Sequence, residues 1–186
     1  MWRNLLFTTG DTMKIGICGK MASGKTTIAE YLTVLENEPF EIISMAGEVK
    51  RVGRELFGMT KKDRPLLQKI GMKMREIRQS VWLDAVISQA NQSKCSVVCD
   101  DVRFVNEAKS LKKDGWILVR LVISEDLQKE RLQDTYGDDW KVHWNNRTDA
   151  SEAEVDMIPL DWFDLVITAA NDSSVQKSVE ALISNS

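Results

Sequence analysis

Eight consecutive residues, Gly19-Lys20-Met21-Ala22-Ser23-Gly24-Lys25-Thr26, constrain this chain more than any others. The run before them, 14–18, is short and apolar and reads as a strand, while Ile28, Tyr31, Leu32 and Leu35 fall on one face of a helix starting near Lys25. A strand that passes into a helix through a loop with glycine at both ends follows a tight path that side chains at those positions would block. Such a loop surrounds an anion with backbone N–H groups and a helix N-terminus. The fixed positions of the phosphate-binding P-loop, Gly19, Gly24, Lys25 and Thr26, are all present. This reading places Gly19, Ala22, Ser23, Gly24, Lys25, Thr26 and Thr27 around the phosphates of ATP, with Lys25 on the β- and γ-phosphates and the Thr26 hydroxyl on Mg²⁺.

Four further apolar runs, 40–44, 95–99, 116–123 and 165–168, read as strands, and 105–113, 125–133 and 174–183 read as helices. Several of the runs, such as Ser96-Val97-Val98-Cys99, are apolar without alternation, as a sheet covered on both faces requires. The expected fold is therefore α/β, a three-layer P-loop NTPase with a parallel sheet of about five strands. With 186 residues, 43% hydrophobic and 28% charged, the chain has material for one domain with a sizeable core. No apolar run approaches the roughly 18 residues a membrane-spanning helix needs. The expected division is an N-terminal arm over 1–12, with Met13 a plausible true start, and a single P-loop domain over 13–186.

Cys18, Cys95 and Cys99 are odd in number, and Cys95 and Cys99 are expected on the same face of one strand. No His accompanies them, so no zinc site is assigned, and buried reduced thiols in a cytoplasmic protein fit best. His143, the single histidine, falls in a polar stretch, 135–151, without a convincing period, and is expected to be exposed in a loop.

The run 96–99 ends in Asp100 and Asp101. In a parallel sheet the ligand crevice lies at the carboxyl ends of the strands, so one carboxylate can hold Mg²⁺, with Asp100 the metal candidate, or contact the acceptor. Alternatively either acid caps the helix beginning near Val105. Charge supplies the next clue: segment 50–78 holds ten basic and three acidic residues in a chain whose net charge is −3, and 125–164 holds twelve acids against four bases. An acceptor that is itself an anion needs fixed cations, although most of the basic residues in 50–78 also suit a solvated helix face. Nucleic acid is disfavoured by the negative total and by the lack of interleaved aromatic residues. A phosphate monoester acceptor, with a second pKa of about 6, is already mostly ionised near neutrality and needs no strong base.

Four blocks run in order through nearly the whole chain: Gly19 to Thr26; Arg64-Pro65-Leu66-Leu67-Gln68-Lys69-Ile70-Gly71 with Arg75 and Trp82; Asp101-Val102-Arg103-Phe104-Val105-Asn106-Glu107-Ala108; and Ser151-Glu152. In these the sequence resembles the phage-type deoxynucleoside monophosphate kinases. The resemblance implies transfer of the ATP γ-phosphoryl group to a (deoxy)nucleoside monophosphate, with a helical acceptor-binding insertion near 45–93 and a lid near 124–156. It places Arg64, Gln68, Arg75 and Arg103 near the acceptor, with Lys50 a further cation of the same segment and Arg78 an alternative to Arg75. It puts Asp101 at the junction of the two substrates, Arg131 and Arg147 in the lid, and Asn171 near the adenine or in a helix cap. Trp82 either lines the acceptor pocket or packs in the core. The chain departs from the family at Asp149, where members often carry His before Ser-Glu. The implied partner is a small-molecule nucleotide, with no membrane, and a homodimer is one assembly this reading allows. A kinase for another phosphorylated metabolite, or a non-catalytic P-loop switch, are the rival functions.

Overall fold

A computed structural model describes residues 12–35, 39–145, 150–169 and 172–184. Five strands, β1 (Lys14–Gly19), β2 (Glu41–Ile42), β3 (Val97–Val102), β4 (Ile117–Val122) and β5 (Leu165–Thr168), form one sheet. Every pairing is parallel and the order is β2-β3-β1-β4-β5. The helices are α1 (Lys25–Thr33), α2 (Met45–Phe57), α3 (Arg64–Ile77), α4 (Val81–Gln92), α5 (Val105–Lys113), α6 (Glu125–Tyr136), α7 (Trp140–Asn145), α8 (Ala150–Ala153) and α9 (Asp172–Ser184). The expected α/β class with a parallel five-stranded sheet is what forms.

Alternation along β1 sorts its side chains between two layers. Ile15 and Ile17 join Val119 and Leu121 of β4, Ile28 and Leu32 of α1, and Val175 and Val179 of α9 in one buried cluster. Gly16 points the other way, where a Cβ would come within 2.9 Å of Leu118 and 3.4 Å of Leu111 from α5. The glycine at position 16 therefore leaves room for the Leu118 side chain of the neighbouring strand β4, which a Cβ would crowd. Each fully buried Leu or Ile in these layers contributes about 1.5–3 kcal/mol, and strand and helix alike depend on that burial.

The chain divides into two compact units: the sheet with its helices, running to Ile42 and resuming at Cys95, and the helical unit Ile43–Lys94. Within the helical unit, Ser44 Oγ accepts from Gly47 N–H (2.9 Å) to start α2, which shortens the expected strand 40–44 to Glu41–Ile42. Asp63 Oδ1 accepts from Leu66 N–H (3.0 Å) to start α3, with Pro65 in its first turn.

Other expectations need correction. Cys95 is exposed and precedes β3, so it does not share a strand face with buried Cys99. The stretch 135–151 contains α7, six residues long and so too short to show a helical period. His143 lies on α7 rather than in a loop, with its ring stacked on Tyr136 at 3.6 Å between centroids. Neither Asp100 nor Asp101 caps α5. Glu107, in the first turn, accepts from Arg103 N–H (2.9 Å) and Phe104 N–H (3.1 Å) instead. Residues 1–11 of the arm, Arg147, Asp149 and Asn171 lie outside the described residues. Among those described, no helix is long and apolar enough to cross a membrane.

Because Glu107 is buried and holds two backbone donors, Glu107→Ala should destabilise the protein by about 1–3 kcal/mol. Urea denaturation measures this; an unchanged midpoint would show that the two amides find other acceptors.

Candidate functional site

β1 ends at Gly19, where a Cβ would stand 2.6 Å from Ser23 Oγ and 2.9 Å from the Leu121 carbonyl oxygen, so the loop can fold back on itself only with glycine here. The chain then turns through Ser23 N–H to Lys20 O (3.2 Å). Gly24, at φ 95°, occupies the left-handed region that glycine favours, and α1 starts at once. Ala22 also lies in that region, at φ 61°, without the freedom of glycine. Side chains from outside the loop hold this conformation. Met21 N–H donates to Glu152 Oε2 (2.8 Å), Gln128 Nε2 donates to Met21 O (2.9 Å), and Arg131 Nη1 donates to Ala22 O (3.1 Å).

The charged groups gather at the end of β3 and the start of α1. Thr26 Oγ1 donates to Asp100 Oδ2 (2.8 Å), and both face solvent at the mouth of the site. Arg103 Nη1 bonds Glu152 Oε1, the second oxygen of the carboxylate that holds Met21. Asp101, next in the strand, accepts from Cys99 Sγ (3.2 Å). Lys25 is only 8% exposed and donates from Nζ to the Lys20 carbonyl (2.7 Å). Its pKa is lowered from 10.5 to about 8, chiefly by burial and next by the Arg103 charge, with Glu152 and Asp100 acting in the opposite direction. Burial pushes the Cys18 thiol up and Cys99 well up, so neither supplies a thiolate near neutrality.

A second ion-pair group braces the loop from below. Asp156 binds Arg120 Nη2 (2.8 Å) and Lys20 Nζ (2.6 Å), while Arg120 Nη1 donates to Val155 O (3.0 Å) and approaches Cys18 Sγ (3.4 Å). Arg120 is a buried cation on the central part of the sheet, and these contacts keep it there.

The arrangement fits a magnesium-bound nucleoside triphosphate. The first turn of α1 contains no acidic residue and Gly24 gives it no side-chain cap, so its N–H groups can serve an anion. Ser23 Oγ is buried without a hydrogen-bond partner among the described residues. Lys25 is held out of water beside a like charge, a cost that a phosphate would offset. Thr26 and Asp100 supply the hard oxygen donors that Mg²⁺ prefers.

Of the residues expected from sequence, Gly19 to Thr26, Asp100, Arg103 and Arg131 come together in the sheet unit, which also holds Thr27 and Asp101, the latter bonded by Cys99. Lys50 on α2 and Gln68 and Arg75 on α3 are exposed in the helical unit. Arg64 opens α3, its side chain lying outside the described set; the spacing 64, 68, 75 puts these three residues on one helical face. Arg78 is engaged by Asp84 (2.7 Å). Trp82 is 3% exposed and donates from its indole to Gly71 O (3.2 Å), so it packs in the core rather than lining a pocket. Sequence reasoning missed Gln128, Arg120 and Asp156 and gave Glu152 no role. Arg120 carried a signal, since a cation inside the apolar run 117–122 must find partners, and Gln128 lies one turn before buried Leu132 on the inward face of α6.

No protein-family model and no curated protein matches the chain. Solved structures do. An uncharacterized protein from Eubacterium ventriosum ATCC 27560 superposes with a TM-score of 0.62 at 14% identity, over 95% of this chain and 100% of its own. Shikimate kinase from Acinetobacter baumannii, in complex with shikimate, gives 0.58 at 18% identity over 95% and 96%. A gluconokinase from Sinorhizobium meliloti 1021 gives 0.58 at 14% identity over 91% and 90%. The similarity to small kinases and the strand order identify the P-loop kinase fold.

Lys25 gives the site a pH signature. Below about 8 the ammonium is charged in both the folded and unfolded chains, and its burial cost is fully present. Between about 8 and 10.5 the unfolded chain binds more protons than the folded one, so this contribution to stability rises with pH. The stability of the wild type relative to Lys25→Met should therefore increase from pH 7.5 to 9.5 in urea titrations. A difference that stays flat across that range would show that Lys25 is not held out of water.

Proposed function

We propose that this chain is an ATP-dependent kinase that transfers the γ-phosphoryl group to a (deoxy)nucleoside monophosphate, giving the diphosphate. The observation that carries the kinase reading is the convergence of Lys25, Thr26, Asp100, Arg103 and Arg131 on one glycine-bounded loop, in a P-loop kinase fold. The narrower acceptor reading is supported by the Leu66-Leu67-Gln68 and Asp101-Val102-Arg103-Phe104 blocks and by the basic, exposed face of α3.

In this reading the loop amides and the N-terminus of α1 bind and orient the triphosphate, and Lys25 leaves the Lys20 carbonyl to meet the β- and γ-phosphates. Thr26 and Asp100 would hold Mg²⁺, which would neutralise phosphate charge. An oxygen of the acceptor phosphate attacks the γ-phosphorus, the bond from that phosphorus to the β,γ-bridging oxygen breaks, and ADP leaves with the electron pair. The acceptor enters mostly ionised at neutral pH, so positioning replaces base catalysis. Arg103 and Arg131 offset the charge developing on the transferring oxygens.

The test is ADP formation from Mg²⁺-ATP with each deoxynucleoside monophosphate and its ribose counterpart. Gluconate and shikimate, named for two structural neighbours, serve as competing acceptors. Turnover is expected with a subset of the nucleotides; turnover with gluconate or shikimate alone would replace the acceptor, and ATP binding without any turnover would favour a switch. Lys25→Ala should lower turnover by about 100-fold or more. Arg75→Ala should raise the acceptor KM several-fold more than the ATP KM, and equal changes would remove Arg75 from the acceptor site.

A further inference from the structure

Glu152 stands out among groups with no role in phosphoryl transfer. It is an acid only 2% exposed, on the one-turn helix α8, and it uses both oxygens. Oε2 accepts from Met21 N–H (2.8 Å), inside the phosphate loop, and Oε1 binds Arg103 Nη1, just beyond the end of β3. Burying a carboxylate is costly unless every partner is good, and here the partners are two pieces of the same site. The other half of the Met21 peptide is held by Gln128, which is 4% exposed. Met21 is thus pinned at both N–H and C=O, next to Ala22 in its left-handed conformation. Gln128 bonds only the loop at this point, whereas Glu152 also bonds Arg103.

A carboxylate near a phosphate loop has two physical roles open to it. It can stand in for phosphate and leave when nucleotide arrives, or it can remain beneath the site and fix its geometry. Depth separates these roles. The mouth, marked by Thr26 and Asp100, faces solvent, while Glu152 lies almost wholly out of water.

We propose that Glu152 is a positioning residue that locks the phosphate loop and the Arg103 guanidinium into one alignment, so that both meet the ATP phosphates together. This rests on reading Lys25 and Arg103 as phosphate-binding groups, and it is independent of which acceptor is used. The Lys25 ammonium feels both Arg103 and Glu152, which places the three in one electrostatic group.

The experiment is a double-mutant cycle read by calorimetric titration of the full chain with Mg²⁺-ATP. Glu152→Gln should weaken binding by about tenfold, in line with loss of a charge-assisted bond. Arg103→Ala should weaken it too, and the double variant should be within about threefold of the weaker single variant, because both substitutions break the same alignment. Gln128→Ala, which loosens only the loop, should add its full loss to that of Arg103→Ala. That contrast is what a merely structural role for Glu152 would not produce. Additive losses for Glu152→Gln and Arg103→Ala would overturn the proposal, and so would tighter ATP binding by Glu152→Gln, which would mark the carboxylate as a phosphate competitor. Thermal melting checks each fold. Should Glu152→Gln not fold, Glu152→Asp, which keeps the charge but shortens the reach by one methylene, is measured in the same cycle with the same expected outcome. Failure of every nucleotide acceptor would leave this binding cycle unaffected, so the two readings fail separately.

Discussion

A lysine ammonium held nearly out of water, at the head of a helix and beside a second cation, is the constraint from which the rest of the site follows. Lys25 reaches that position because β1 ends at a glycine and α1 begins at another, which leaves no room for the chain to take a slacker path. Its interim partner is a backbone carbonyl of its own loop rather than a carboxylate. A neutral oxygen compensates a buried charge only in part, and the site therefore favours an anion of higher charge. Around this centre, the acids that do approach are kept on other duties. Asp100 is bonded to Thr26, Glu152 to Met21 and Arg103, and Asp156 to Lys20 and Arg120.

What the sequence made legible was whatever depends on neighbours along the chain. The strand-loop-helix passage is written in two glycines and the residues between them, and Asp100 could be placed opposite Thr26 because both must lie at the carboxyl end of a parallel sheet. Where the sequence left alternatives open or gave a residue no role, side-chain partners decide. The Arg103 and Phe104 amides that lead into α5 are held by Glu107 from within the helix's own first turn, so neither Asp100 nor Asp101 caps it. Trp82 found a carbonyl eleven residues back, on α3, and its indole turned inward. Glu152 and Gln128 serve the backbone of a loop more than a hundred residues away, a duty with no local periodicity to betray it.

The acidic segment 125–164 is informative in the same way. Its middle, 135–151, reads as a polar stretch without a period, and the resemblance implies a lid near 124–156. In the structure, Glu152 turns inward to bond Arg103 and a loop amide, Asp156 stays exposed while it pairs with Lys20 and Arg120, and Glu125 and Asp126 sit in the first turn of α6, where its dipole favours them. Local charge excess thus divides into acids that organise the site and acids that complement a helix end.

The strand order has a consequence for how the molecule is made. β1 is the middle strand of the sheet and the first to leave the ribosome, yet its partners β3 and β4 come much later: Met13 N–H meets Ser96 across 83 residues, and Lys14 meets Asp114 across 100. Until those strands are synthesised, Ile15 and Ile17 lack Val119, Leu121, Val175 and Val179 of their eventual cluster, and both edges of β1 are open. At about 5–20 residues per second, that interval lasts several seconds or longer. The same connectivity that seats β1 between two partners in the finished protein leaves it an open-edged strand while most of the chain is still being made.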